Sequence, residues 1–288
     1  MWAIPMFFKI QKLRYPIIII SFLILGCEKE TKITLTDQTK IAINGLLILN
    51  GNSTLHISRT GNLKQQNKPQ AIEQASVSLT NKSKTFMFQH EQNGYWVNDK
   101  MTLEYGTNYT LNVSVAAKEI KAKVQVPFAY DAQIIRKNTK KSEMTLTLKT
   151  STPQSFILKM MLRNYTLGAN KERIYSDDWQ EATIATKSMQ TDNVKYRELQ
   201  IPYSKLFIPK TTQASIDFQI SADYNNTEYK GIVQAVDPTF YQYYYNYTNI
   251  KQGNSEEEVL LNKGNITGGV GILGTAVEQI IYVDEPIQ

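Results

Sequence analysis

From residue 40 onward, apolar and polar positions alternate with a period of two in short runs: KIAINGLLIL (40–49), STLHISRTG (53–61), ASVSLTN (75–81), KTFMFQH (84–90), GYWVND (94–99), TNYTLNVSV (107–115) and KEIKAKVQV (118–126). Successive side chains of a strand point to opposite faces, so this alternation predicts half-buried strands. Val77 and Leu79 share one face, as do Tyr109, Leu111, Val113 and Val115, and again Ile120, Ala122, Val124 and Val126. A Gln-, Lys- and Asn-rich stretch at 62–70 reads as a loop, EQN at 91–93 is a hairpin-sized gap, and Pro127 closes the last run. Short strands with turn signals between them predict an immunoglobulin-like β-sandwich over 40–127.

The second half, 128–288, reads as a second β-rich domain with a less regular pattern. EMTLTLKT (143–150) alternates, and SFILKMML (155–162) is more continuously apolar, as a strand buried on both faces would be. Residues 164–195 read as a long polar excursion, and ASIDFQISA (214–222) with YKGIVQAV (229–236) as a hairpin over DYNNTE. One helix is predicted near 238–252: Asp237 is an N-cap residue, Pro238 suits the first turn, and Gly253 is a ready stop. In the tail, Gly268, Gly269 and Gly271 puncture a strand-like run and predict a bend or bulge. The expected fold class is therefore mostly β with one helix toward the C-terminus.

The N-terminus departs from this pattern. Residues 1–14 carry Lys9, Lys12 and Arg14 and no acid; YPIIIISFLIL (15–25) is almost wholly apolar; Gly26 and then Cys27 follow. A basic segment, an apolar core and a small residue at the cut make a signal peptide over 1–26. As a helix the apolar core reaches about 16 Å, against a bilayer core of roughly 30 Å, so it is short for a stable span. Cys27 is the only cysteine, and Ile24-Leu-Gly-Cys27 resembles the bacterial lipobox. That resemblance implies cleavage after Gly26 and acylation of Cys27, with 27–39 as a lipidated tether. Several acyl chains, at about 0.8 kcal/mol per buried methylene, hold a protein on a membrane. The rival is an uncleaved N-terminal anchor. With Cys27 acylated the mature chain has no disulfide, and the fold stands on its core alone.

Removing the leader lowers the net charge from +6 by its three cations to +3. This mild balance gives no case for nucleic acid, which wants a concentrated basic face. The densest basic cluster, Arg136, Lys137, Lys140 and Lys141, reads as a solvated loop. Eight Asn-x-Ser/Thr triplets, at Asn52 and Asn108 among others, follow from an Asn- and Thr-rich composition. Recognisable chemistry is sparse. His56 and His90, the two histidines, lie in predicted strands without the cysteines or carboxylates of a zinc site. Nucleophile-elbow, zincin and phosphate-loop patterns are absent from the sequence. Asp177 and Asp178 beside Trp179 imitate a glycosidase carboxylate with a sugar-stacking ring, but paired catalytic carboxylates ordinarily come from different elements. Glu256–Glu258 reads as a solvated charge run. In the helix, Phe240, Tyr244 and Tyr247 share a face with Tyr241 and Tyr245 beside it; that face is expected to pack on the sheet. Tyr243 is then the exposed ring and a candidate partner contact.

The order of these features carries a family resemblance. Cys27, KIAINGLLIL, LHISRTG, AIEQASVSLT, NGYW, YGTNYTLNVSV, VQVP, a tyrosine-rich helix after Asp237-Pro238, and NITGGVGILG follow one another. This resembles the Bacteroidota surface lipoproteins of domain of unknown function four-two-four-nine, over most of 28–282 and least across 128–210. The resemblance implies an outer-membrane lipoprotein encoded beside a TonB-dependent receptor, with an accessory or ligand-capturing role. It carries no catalytic residue onto this chain. Glu28 and Glu30 after the cysteine match in part the acidic signal associated with export in Bacteroidota, so display at the cell surface is favoured over the periplasmic face. The expectation is a non-enzymatic protein with no cofactor and no metal, bound to the membrane through its lipid. Its rivals are a surface hydrolase of glycans or peptides and a structural, adhesin-like module. A hydrolase requires at least two of Glu172, Asp177, Asp178, His56 and His90 to converge in a cleft.

Overall fold

The alternating runs of the N-terminal half fold as strands in a computed structural model, which describes residues 39–61, 69–138, 142–176, 178–192, 195–221, 226–251 and 264–283. They are β1 (Ile41–Leu49), β2 (Thr54–Arg59), β3 (Gln70–Ala71), β4 (Ser76–Thr80), β5 (Thr85–Met87), β6 (Gln89–His90), β7 (Tyr95–Val97), β8 (Asn108–Val115) and β9 (Lys118–Gln125). The apolar positions named from β4, β8 and β9 are all buried, together with Val126 just past the last of these strands. The run 84–90 divides at Phe88: β5 pairs with β4, and β6 pairs with β7 in the other sheet. Phe88 is buried at the crossing, and its N–H donates to the Val77 carbonyl at 2.9 Å.

The remaining elements are β10 (Tyr130–Asn138), β11 (Glu143–Leu167), β12 (Arg173–Tyr175), β13 (Gln180–Ala182), β14 (Ile184–Thr191), β15 (Lys195–Tyr203), β16 (Lys205–Ile220), β17 (Thr227–Val236), α1 (Pro238–Lys251), β18 (Ile266–Thr267) and β19 (Val270–Val283). The protein is thus mostly β, with α1 the one helix among the described residues. The smaller sheet runs β18-β9-β8-β4-β5. The larger runs β15-β14-β16-β11-β17-β19-β1-β2-β7-β6, with β10, β12 and β13 also on β11 and β3 on β2. Ile43, Leu47, Leu55 and Ile57 of the large sheet share one hydrophobic core with Val77, Leu79, Leu111, Val113 and Ile120 of the small one.

Pairing runs across the expected boundary at residue 127. β19 lies parallel to β1 from Ala42↔Val270 to Leu49↔Val277, and β18 closes the small sheet against β9. The two N-terminal layers are therefore completed from the C-terminus, and residues 39–288 cluster as one compact unit. The predicted bend supplies the crossing between sheets: Gly268 and Gly271 hold φ of +82° and +107°, which glycine alone adopts without strain.

Three expectations for the second half need correction. The stretches 143–150 and 155–162 are one strand, β11, which shifts register between Lys149 and Phe156. Gln154 clamps that irregularity, accepting from Phe128 N–H at 2.9 Å and donating to the Phe128 carbonyl at 3.0 Å. The excursion 164–195 contains β12, β13 and β14, whose ladder hydrogen bonds hold polar and Thr-rich sequence in strands. The runs at 214–222 and 229–236 do not pair, because β11 lies between β16 and β17. Arg136 also leaves the expected solvated loop: it is a buried residue of β10, with its guanidinium 5.4 Å from the Tyr229 ring centre. Lys140 and Lys141 lie outside the described residues.

The helix forms where predicted, and its cap is doubly used. Asp237 Oδ1 accepts from the N–H groups of Thr239 (3.1 Å) and Phe240 (3.0 Å), while Oδ2 accepts from Thr275 N–H of β19 at 2.8 Å. Gly274 of β19 leaves room for the Phe240 ring directly above it. Phe240, Tyr241 and Tyr244 then cover Ile157, Val236 and Ala276 on the outer face of the large sheet, beside Leu46, Ile48 and Phe207.

Candidate functional site

Beyond the helix, the same outer face is open. Registers across β11, β17 and β19 set out its rows: Arg163 faces Glu228; Met161 faces Lys230, which faces Tyr282; Lys159 faces Ile232, which faces Ile280. The edge of β11 pairs with β13 up to Leu162↔Gln180 and with β12 from Tyr165↔Tyr175. Between these two pairings stand Arg163 and Asn164, and Ser176 N–H donates to the Asn164 carbonyl at 3.2 Å. Trp179, just before β13, reaches across β11: its ring centre lies 4.2 Å from Lys230 Nζ, 4.5 Å from Arg163 Cζ and 6.2 Å from the Tyr282 ring. The Arg163 guanidinium also stacks 3.5 Å from the Tyr175 ring centre. Arg173 covers Tyr165 at 4.8 Å. Such cation–ring contacts are worth about 0.5–1 kcal/mol each at exposed sites.

Glu228 is the carboxylate of this cluster, receiving Arg163 Nε at 2.6 Å and lying 3.6 Å from Arg173 Nη1. Lys159 pairs with Glu181 at 3.4 Å. Among the described residues Lys230 has no carboxylate partner within ion-pair distance. Burial, and then the positive charges of Arg163 and Lys159, lower its ammonium pKa from the ordinary lysine value, against the opposing pull of Glu228. The rings of Tyr175 and Tyr282 are 38% and 59% exposed. Tryptophan, tyrosine and arginine concentrated on one surface are suited to non-covalent recognition.

The residues singled out in the sequence are dispersed. Gly26 and Cys27 lie outside the described residues, as do Asp177, Glu256–Glu258 and Gly253. Asp178 is exposed beside Trp179. Glu172 is exposed on the Gly168 turn, where it accepts from Asn170 N–H at 2.9 Å. His56 sits against Tyr95 and His90 against Trp96, with ring centres 4.9 and 5.2 Å apart. Tyr95 and Trp96 are adjacent in β7, so the two histidines lie on opposite faces of the sheet. Among the described residues no group of three His, Cys, Asp or Glu side chains could hold a metal ion. Tyr243 is half-buried rather than the exposed ring of α1; Tyr245 and Tyr247, at 40% and 44%, are more open. Tyr245 nonetheless keeps a 5.4 Å edge contact with Phe207. The cluster partners Arg163, Glu228, Lys230 and Tyr282 were not picked out. Their only trace in sequence is charged or aromatic residues at every second position where β11, β17 and β19 are otherwise apolar.

Depressions in the surface lie elsewhere. One, of about 520 Å³, is floored by the polar faces of β10, β11, β14 and β16 and lined by Gln133, Thr147, Gln190 and Ser215. Another, of about 690 Å³, lies along Thr80, Glu104, Asn108 and Lys123. Neither is lined by a pair of the candidate acids and histidines.

Two sheets around one core, a capped helix laid on the outer face and an aromatic–cationic cluster beside it define a mostly β protein with a displayed surface. The chain belongs to the family described as Domain of unknown function (DUF4249), whose model matches residues 28–279. No curated protein matches it. Among solved structures it is similar to a DUF4785 family protein from Legionella pneumophila subsp. pneumophila str. Philadelphia 1, at 7% identity and a TM-score of 0.22, covering 68% of this chain. The match spans about half, 52%, of that protein's length. Among the described residues no helix is long and apolar enough to cross a membrane.

Proposed function

We propose that this chain is a non-enzymatic outer-membrane lipoprotein, anchored through Cys27 and facing the cell surface, that captures a ligand or partner for a TonB-dependent transporter. The observation that carries the binding role is the cluster of Arg163, Lys230 and Tyr282 on the adjacent strands β11, β17 and β19, with Tyr175 of β12 and Trp179 packed on it. A surface held by strands presents its side chains with little ordering cost on binding. The N-terminal layers, read as an immunoglobulin-like sandwich completed by β18 and β19, serve as the scaffold. The leader and Ile24-Leu-Gly-Cys27 support the lipid anchor. The hydrolase reading finds no support in the positions of His56, His90, Glu172 and Asp178.

The test is co-purification from outer membranes in mild detergent through a C-terminal tag. A stoichiometric TonB-dependent receptor is the expected companion, and a solitary lipoprotein overturns the transporter role. Cys27→Ser tests the anchor separately: the protein should leave the membrane fraction, and retention there refutes lipidation.

A further inference from the structure

We infer that the strip of outer sheet face between α1 and Trp179 docks a partner protein through an acidic segment bearing apolar side chains. This deepens the reading above and rests on it only for the existence of a partner.

The strip is unlike an ordinary solvated sheet face. A face open to water is expected to be polar. The outer positions of β8 and β9 obey that rule, with Asn108, Thr110, Asn112 and Ser114 beside Glu119, Lys121 and Lys123. On β19 the outer positions Ile280 and Tyr282 are instead 51% and 59% exposed, with Ile232 and Met161 half-buried beside them. Aromatic groups bound the strip at both ends. Trp179 stands over the Lys230–Tyr282 row, and α1 covers the Val236–Ala276 row. Six residues separate those rows on β17, roughly 20 Å at about 3.3 Å per residue. That span suits a polypeptide segment better than a single small ring.

Charge selects the occupant. One row crosses four strands as Lys205, Lys159, Ile232 and Ile280. Lys159 and Lys205 are directly opposed, and like charges so placed destabilise a strand pair. The facing groups are Lys205 from β16, Lys159 and Arg163 from β11, Lys230 and Glu228 from β17, Glu181 from β13, Arg173 from β12 and Glu278 from β19, with Asp178 exposed beside Trp179. Glu228 is taken by the two arginines, Glu181 by Lys159, and Glu278 accepts from Gln234 at 2.8 Å. Lys205 donates to the Tyr244 hydroxyl. Among the described residues, neither Lys205 nor Lys230 has a carboxylate partner within ion-pair distance. Carboxylates of the partner would pair with Lys205 and Lys230 and, over Lys205, relieve its repulsion with Lys159, and neighbouring apolar side chains would cover Ile232 and Ile280. The mosaic of isoleucine, tyrosine, tryptophan and lysine matches the anchors of a protein interface.

The experiment places the photo-crosslinking residue benzoylphenylalanine at Ile280, at Tyr282 and, as a control, at Ser114 on the outer face of β8, in the full-length protein in its own cells. Adducts are mapped by mass spectrometry after confirming that each variant melts as the parent does. Ile280 and Tyr282 should crosslink to one protein, within a segment rich in Asp and Glu with apolar neighbours, and Ser114 should not. Replacing Lys205 and Lys230 by Gln should lower the yield about fivefold. Absence of an adduct above the control, an adduct with lipid or glycan mass, a non-acidic segment, or indifference to the lysine changes each overturns the inference. An acidic segment in a protein other than a transporter upholds this surface and overturns the transporter role; a co-purifying transporter without adducts at Ile280 and Tyr282 does the reverse.

Discussion

At one end of the outer face made by β11, β17 and β19, Ile157, Val236 and Ala276 are buried beneath Phe240, Tyr241 and Tyr244. At the other end, Ile280 and Tyr282 of the same sheet lie exposed beside Lys159 and Lys230. The backbone is continuous between the two; only the side chains change. Where outer positions are small or apolar, a helix can lie flat on the sheet, and Gly274 marks the closest approach. Two rows further, lysines and glutamates would have to be desolvated beneath a helix, at a cost an apolar helix face cannot offset. The residues that would resist cover by an apolar helix are thus the residues proposed to meet a partner.

The largest test of this contrast is Gly274→Val. Its branched side chain would occupy the space of the Phe240 ring and force α1 off the sheet. Overpacking of this kind costs about 3 kcal/mol, read as a lower urea midpoint. An unchanged midpoint would mean that the helix is not seated on β19. Asp237→Ala comes next. It removes the cap of α1 and leaves Thr275 N–H without its 2.8 Å partner, for a combined loss of about 2 kcal/mol. Asp237→Asn keeps the Oδ1 acceptor and should lose less.

At the open end, Trp179→Ala should cost only about 1 kcal/mol, from two cation–ring contacts on a half-buried side chain, while weakening crosslinking at Ile280. If its stability loss equalled that of Gly274→Val, the two ends would both be core, and the comparison would fail.

Legibility from sequence follows the same physics. β4, β8 and β9 were readable because each buries one face and leaves the other in water, so period two survives in the letters. The helix was readable because Asp237 and Pro238 are local signals whose meaning does not depend on distant residues. The hairpin expected between 214–222 and 229–236 failed because nothing local reveals that β11 inserts between them. β14 was hidden in Thr- and Ser-rich sequence whose hydrogen bonds to β16 make it a strand. The Trp179 cluster was half visible. Trp179 itself drew attention beside two aspartates, but its true neighbours come from β11, β17 and β19, brought together only by register.

The smallest expected effect distinguishes a covered aspartate from an open one. Asp237 is buried under the helix; burial raises its carboxyl pKa above the ordinary value of 3.8, against hydrogen bonds from Phe240, Thr275 and Thr239. Asp217 lies on the open face of β16. Partial burial opposes its ionisation, but Lys137 Nζ at 2.6 Å, Thr145 Oγ1 at 2.7 Å and Ser188 Oγ at 3.2 Å outweigh it and hold its carboxyl pKa below 3.8. The signs are opposite. A depressed carboxyl adds stability that is present above 3.8 and lost as pH falls through its folded value, whereas a raised one adds stability that is lost as pH climbs from 3.8 through its folded value. In urea titrations from about pH 7 to about pH 3, the destabilisation by Asp217→Asn should therefore shrink on acidification. Asp237→Asn should instead become relatively more destabilising as the native aspartate protonates. Because Asp217 and Lys137 are partly solvated, the Asp217 effect is expected to be screened by salt as well. Parallel pH profiles for the two variants would show that cover by the helix does not set the charge state of this face.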